Sequence, residues 1–361
     1  MALKSELISY RLDFKFPAGT SRGTLHHKDT FFLKVWDDAD PGVDGWGECG
    51  PLKKLSIDDV EDLEQLLMEK TGHLNGAKLP NSVSAIYSFA KELAGFQYPA
   101  YRFAVETALL DLKNGGNKLI YTNDFYTKSS QIPINGLIWM GHMEGMLLQI
   151  SDKINEGSDC VKMKVGSLDF EKEVDILNYI RRKYYNKEIL LRVDANGAFK
   201  PDEAMYKMQT MAKSNIHSIE QPIAAGQTEL MAQLCQRTPI DIALDEELIG
   251  MHNRQEKLEL LRLIKPQYII IKPTLLGGLS SSEEWIQLAE ELGIGWWITS
   301  ALESNIGLNA ICQFANEMKA KSYQGRVTGK LYHNNIESPL TITNGYIYYD
   351  NNRDWNLTML N

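Results

Sequence analysis

The chain has little cysteine. Its four residues, Cys49, Cys160, Cys235 and Cys312, are scattered over 361 positions, so neither a CxxC redox pair nor a zinc knuckle can be built from local spacing. That usage suits a reducing cytoplasm. Positive charge is also short. Thirty-eight lysines and arginines against 47 acids leave a net charge of -9, which repels a phosphate backbone and argues against nucleic acid as a partner. No stretch approaches the roughly eighteen apolar residues of a membrane span, and the opening MALKSELISYRLDFKFPAGT lacks the apolar run of a signal peptide. The expectation is a soluble cytoplasmic protein with no membrane partner.

What is present is enough apolar sequence, 43% of the chain, to bury a large core, in one large domain or a large one with a smaller companion. SYRLDFKF and TFFLKVWD read as strands of a meander, joined by the loop PAGTSRGTLHHKD. A turn-rich GWGECGPL follows, and then IDDVEDLEQLLMEK, NSVSAIYSFAKELA and YRFAVETALLDLKN have helical spacing, the second capped by Asn81 or Ser82. From Ile132 short apolar runs alternate with amphipathic stretches. IPINGLIW, CVKMKV, EILLRVDA, IHSIEQ, DIALDE, YIIIKP, GWWITS and GRVTG are the strand candidates, with seven helix candidates between them. No glycine-rich phosphate turn follows the first strand, so a barrel fits better than an open doubly wound sheet. The expected fold is α/β: a modified TIM barrel, (β/α)7β, over residues 126–332, with an α+β capping domain over 1–125 that the C-terminal segment 333–361 rejoins.

An ionisable residue closes nearly every central strand: Lys164, Asp194, Glu220, Asp245 and Lys272, with Ser300 ending the seventh. From Asp194 the successive intervals are 26, 25 and 27 residues, one βα repeat each, which puts the charges in register at the C-terminal mouth of a barrel, where barrel active sites lie. Any one acid alone reads better as a helix cap or a solvated loop charge. Three on adjacent strands repel one another and call for a cation, and oxygen-only ligands point to Mg²⁺, with Mn²⁺ suited to the same donors. Lys162 and Lys164 are two apart on one strand and share a face. Lys272, on strand six, lies across the ring from strand two, so two lysines flank a bound carbon acid. Isolated, a KxK would be a pair of snorkelling surface lysines. With the acids it points to a small-molecule carboxylate substrate held by the metal and losing its α-proton to a lysine.

The run KMK, RVDANGAF, IEQP, ALDE and IIKP resembles the muconate-lactonising subgroup of the enolase superfamily over essentially the whole chain. That superfamily's lysine or histidine base with Mg²⁺ is a known pattern of pKa tuning. Within the subgroup, TSALESNIGLNA and GRVTGKLYHNN are similar to the o-succinylbenzoate synthases of menaquinone biosynthesis. The resemblance implies that Lys164 is the base, that Lys272 stabilises the enolate by its charge, that Asp194, Glu220 and Asp245 bind Mg²⁺, and that Lys162 lowers the pKa of Lys164. It implies a lyase that dehydrates a cyclohexadiene carboxylate bearing a succinyl arm, with capping loops near Pro17–His27 and Gly45–Leu52 closing over the mouth. Arg326 and Val327 depart from the Leu-Gly pair expected before Thr328 and Gly329.

Secondary candidates follow. Ser300 and Ser304 precede a helix whose N-terminus either is capped by them or receives a substrate carboxylate. Gly329 is placed beside the substrate by the same resemblance. Asn196 is a supporting donor behind Asp194 or a turn residue before Gly197. Arg192 shares the face of Asp194 and pairs the acids or forms a structural ion pair, and Glu246 orients a lysine or is a loop charge. Rival activities in the same fold are N-acylamino acid racemase, dipeptide epimerase and muconate cycloisomerase. No DxD follows strand seven or eight to hold a dipeptide ammonium, and no histidine ends strand six or seven. A non-catalytic binding protein is disfavoured by five costly buried charges. A homo-oligomer is compatible with the sequence.

Overall fold

The computed structural model describes residues 2–20, 23–166, 168–325 and 330–360. Leu3–Thr20 (β1), Gly23–Asp37 (β2) and Asp40–Cys49 (β3) form an antiparallel sheet in that order. The expected loop between the first two strands is largely strand itself: pairing resumes past an irregularity between Asp13 and Ala18 and runs to Thr20 opposite Gly23. His26 and His27 are exposed on it. The segment with GWGEC, expected as a turn, is the third strand. Its glycines answer a packing demand, because a Cβ at Gly45 or Gly47 would overlap the carbonyl oxygens of Ala108 and Ala104. A helix lies directly on that backbone.

That helix is Pro99–Lys113 (α3), preceded by Leu63–Gly72 (α1) and Val83–Ala94 (α2). Ser82 caps α2, its hydroxyl accepting from Ala85 N at 3.1 Å. The first helix begins later than its apolar spacing predicts, because Asp58 turns inward to accept from Ala100 N at the start of α3 at 2.8 Å. A short helix, Asp124–Thr127 (α4), follows.

The second half alternates Ile132–Pro133 (β4), Gly136–Ile138 (β5), Met143–Asn155 (α5), Cys160–Lys164 (β6), Phe170–Lys183 (α6), Leu190–Asp194 (β7), Pro201–Ala212 (α7), Ser218–Glu220 (β8), Thr228–Arg237 (α8), Asp241–Leu244 (β9), Arg254–Ile264 (α9), Tyr268–Ile271 (β10), Pro273–Leu276 (α10), Gly278–Glu291 (α11), Gly295–Ile298 (β11) and Asn305–Glu317 (α12). β5 to β11 make one parallel sheet in chain order. Gln324 and Gly325 close the ring, bridging Ile134 on one side and Thr299 on the other. The fold is the expected modified barrel with an antiparallel capping sheet. The expected eighth strand, GRVTG, enters only through Gly325, since residues 326–329 lie outside the described residues. The first expected strand divides, β4 pairing with Tyr346–Tyr349 (β13), itself paired with Leu340–Thr343 (β12).

The N-terminal end of the barrel is plugged by aromatic side chains. Arg192 stacks its guanidinium on Trp297 at 3.9 Å, and His217 and Tyr268 complete the cluster. Near the chain's end, Trp355, Leu357 and Leu360 pack with Phe32, Trp46 and Ile336. Among the described residues no helix is long and apolar enough to cross a membrane.

Candidate active site

Strand register sets the site. Lys164 pairs with Asp194 across β6 and β7, and Asp194 pairs with Glu220 across β7 and β8, so three ionisable side chains stand side by side at one depth. Lys162 lies one pleat below Lys164. Asp245 and Lys272 follow β9 and β10 directly. Five of the six are buried and Lys272 is half-buried, and none could remain charged there without partners.

The partners are each other. Lys162 Nζ donates to Asp194 Oδ2 at 3.1 Å and to Glu220 Oε2 at 2.7 Å. Lys164 Nζ donates to the same Asp194 oxygen at 3.1 Å and to Asn196 Oδ1 at 2.5 Å. Lys272 Nζ donates to Asp245 Oδ2 at 2.5 Å. Burial would raise Asp194, but Lys162, Lys164 and Lys272 outweigh it and hold that carboxyl well below the usual range. Glu220 has one ammonium and two carboxylate neighbours. Burial, with Asp194 and Asp245 overcoming the help of Lys162, pushes it up to about 7. Asp245 moves up for the same reason, burial and the charges of Glu246 and Asp194 outweighing Lys272. Burial opposes the charge of Lys162 and Lys272, yet the facing carboxylates push both up.

Lys162, Lys164, Asp194 and Lys272 line one cleft at the barrel mouth, with Asn196 and Ser300 also in its wall. Asn196 Nδ2 donates to Glu246 Oε1 at 3.0 Å, and its backbone amide to Asp194 Oδ1 at 3.1 Å, so it ties Lys164 to both acids.

Two secondary candidates have other surroundings, and a third is not described. Ser304 is fully buried, and the anion at this helix N-terminus is the protein's own Glu48, which accepts from Ser304 N at 2.9 Å, Ser304 Oγ at 2.6 Å and Gly307 N at 2.9 Å. A substrate carboxylate cannot also be received there. Arg192 faces the opposite end of the barrel from the acids, donating to Tyr323 O at 2.8 Å and Ser322 Oγ at 2.6 Å. Side chains two apart share a face but differ in depth, and this one falls to the aromatic plug. Gly329 lies outside the described residues.

The apolar wall was not legible in the motifs. Leu52, Trp139, Leu302 and Leu331 line the cleft, and Trp139, Leu302 and Leu331 pack with Phe14 and Ala18 of the capping hairpin. Leu302 has a left-handed backbone, φ 63°, a conformation costly for a branched side chain. Two side chains hold it there: Lys28 Nζ donates to its carbonyl at 2.9 Å and the Tyr332 hydroxyl at 2.7 Å.

As they stand, no three acidic, histidine or cysteine side chains among the described residues are gathered into a metal-binding cluster, because ammonium groups hold the carboxylates. The donor set still suits a hard cation: three buried carboxylates on neighbouring strands, all oxygen, with Glu220 Oε1 buried and without a hydrogen-bond partner.

Residues 146–352 match the family described as Enolase C-terminal domain-like. The chain is 42% identical to the o-succinylbenzoate synthase of Desulfotalea psychrophila over 94% of its own length and 98% of that protein. It is 24% identical to the L-Ala-D/L-Glu epimerase of Bacillus subtilis over 83% of its length and 80% of that protein. The crystal structure of MenC from Desulfotalea psychrophila superposes with a TM-score of 0.86 at 38% identity, covering 96% of this chain and all of that one.

Proposed function

Given that the chain belongs to the enolase superfamily and, within it, to the family of the o-succinylbenzoate synthases, we propose that it is a Mg²⁺-dependent lyase. It dehydrates 2-succinyl-6-hydroxy-2,4-cyclohexadiene-1-carboxylate to o-succinylbenzoate, a step of menaquinone biosynthesis. The observation that carries the reading is the 42% identity along nearly the whole of both chains, against 24% for the epimerase.

Asp194, Glu220 and Asp245 would hold the cation, which supplies a Lewis acid for the substrate carboxylate when bound. Their oxygen-only set and the unpartnered Glu220 Oε1 support this. Lys164, aligned by Asp194 and Asn196, takes the proton from C1. Lys272 faces the reacting carbon from the other side of the ring and stabilises the charge that develops as the C1–H bond breaks. The ammonium so formed on Lys164 gives that proton to the departing C6 hydroxyl, and its loss as water aromatises the ring, which makes the elimination favourable. Lys162, shared between Asp194 and Glu220, favours the ionised form of both carboxylates.

The same reading divides the chain into a capping unit, residues 1–125 with 333–361, and a barrel over 126–332. Packing of Leu360 with Phe32 and Trp46 supports that division, and a cytoplasmic location fits the four widely scattered cysteines. The test is spectroscopic: purified protein with Mg²⁺ should convert the cyclohexadiene to the aromatic acid, and excess chelator should stop it. Undiminished conversion under chelation would remove the metal from the account.

A further inference from the structure

The cleft contains a polar side chain for which the reaction above has no task. Asn135 sits at the start of the first barrel strand, between Ile134, which bridges Gln324, and Gly136, which pairs with Val161. It is 2% exposed, and its backbone amide donates to Gln324 O at 3.0 Å. Its side-chain Oδ1 has no hydrogen-bond partner. The residue lines the catalytic cleft beside Thr299, Ser300 and Gly325, and also a second cavity with Lys153, Ser158 and Lys330. A buried amide without a partner carries an uncompensated desolvation penalty that leucine, of similar size, would avoid. Oδ1 lies on the Gly325 side of the residue, 3.6 Å from where a Cβ on that glycine would stand, so a group that enters the cleft can supply the partner.

The charges of the cleft indicate what kind of group that is. Lys162, Lys164 and Lys272 are each committed to a carboxylate, and apart from Asp194 the remaining lining residues carry no formal charge. The substrate proposed above has two polar groups on its arm, a ketone and a terminal carboxylate. A neutral amide matches a neutral carbonyl, whereas a carboxylate desolvated against it, with no free cation among the described lining residues, would be strongly disfavoured. A half-turn of the amide exchanges Oδ1 for Nδ2, so the same side chain donates to a carbonyl oxygen. Resting on the functional reading above, we infer that Asn135 binds the ketone oxygen of the succinyl arm through its side-chain N–H and thereby selects substrates with a carbonyl at that position.

The test combines side-chain and ligand truncation. Wild type, Asn135→Leu and Asn135→Ser, each with Mg²⁺, are titrated calorimetrically with three ligands: o-succinylbenzoate, its analogue with CH₂ in place of the ketone, and its analogue with CH₃ in place of the arm carboxylate. Asn135→Leu should weaken the first and third about 10-fold and leave the CH₂ analogue unchanged. Asn135→Ser, which keeps a shorter donor, should fall between. Unchanged affinity of both variants for o-succinylbenzoate, or an equal loss for the CH₂ analogue, overturns the inference while turnover by wild type leaves the functional reading standing. A wild type that neither binds these ligands nor makes the product overturns both.

Discussion

Glu48 and Ser304, 256 positions apart, join the capping sheet to the barrel: one carboxylate accepts from the amide and from the hydroxyl of the same serine, at 2.9 and 2.6 Å. Gly307 N and the Thr30 hydroxyl donate to it as well. The positive end of α12 is therefore neutralised by a side chain from the other half of the molecule. Glu48→Ala strands several buried donors and should cost about 3 kcal/mol of stability, read as a lower midpoint in denaturant. An unchanged midpoint would mean that the capping sheet does not depend on this contact.

Removing the base should separate activity from stability. Lys164→Ala is expected to abolish turnover, and with it deuterium exchange at the substrate α-carbon, while circular dichroism and the melting transition stay close to wild type. Continued turnover would move the base elsewhere. Asp194→Asn, Glu220→Gln and Asp245→Asn should each raise the Mg²⁺ concentration needed for half-maximal activity.

Lys272 distinguishes a charge from a base. A dehydratase needs only a cation opposite Lys164, whereas a two-base racemase needs a lysine that carries a proton to and from carbon. Arginine, with a pKa above about 12, keeps the charge and cannot act as a base. Lys272→Arg should therefore retain more dehydratase activity than Lys272→Ala. Equal activities of the two variants would count against a purely electrostatic role.

The charged strand ends were legible because two simple regularities coincide: apolar runs that read as buried parallel strands, and acids recurring at the length of one βα unit from Asp194 to Asp245. The β3 strand was hidden for a physical reason. Gly45 and Gly47 look like turn residues in isolation, and only the close approach of α3 explains them. Ser304 was recognisable as a cap, but its anionic partner lies at the far end of the chain, where local spacing carries no information. Asn135 lies inside IPINGLIW, which reads as a strand, and nothing in that run marks it as a cleft residue. Its place in the cleft depends on the strand through Gln324 and Gly325 that closes the ring.

Asp58 gives the fold a pH dependence. It is buried, Oδ2 accepts from Ala100 N, and Oδ1 has no partner. Burial outweighs that hydrogen bond and pushes its carboxyl up to about 7. The folded state then holds a proton that the unfolded chain, titrating near 4, has released. Its contribution is fully present below the unfolded value, falls by up to about 1.4 kcal/mol per pH unit between the two, and is flat above the folded value. Asp58→Asn should flatten this slope in denaturant titrations between pH 4 and 7. An identical slope in the variant would assign the effect to another group.

The most direct measurement sets the two chemistries against each other in one tube. Wild-type protein with Mg²⁺ in D₂O receives the cyclohexadiene carboxylate and a single enantiomer of an N-succinyl amino acid at equal concentration. Aromatisation is followed by absorbance, and racemisation by deuterium incorporation and optical rotation. Dehydration should be the faster reaction, with racemisation slower or absent. Racemisation outpacing aromatisation would contradict the account.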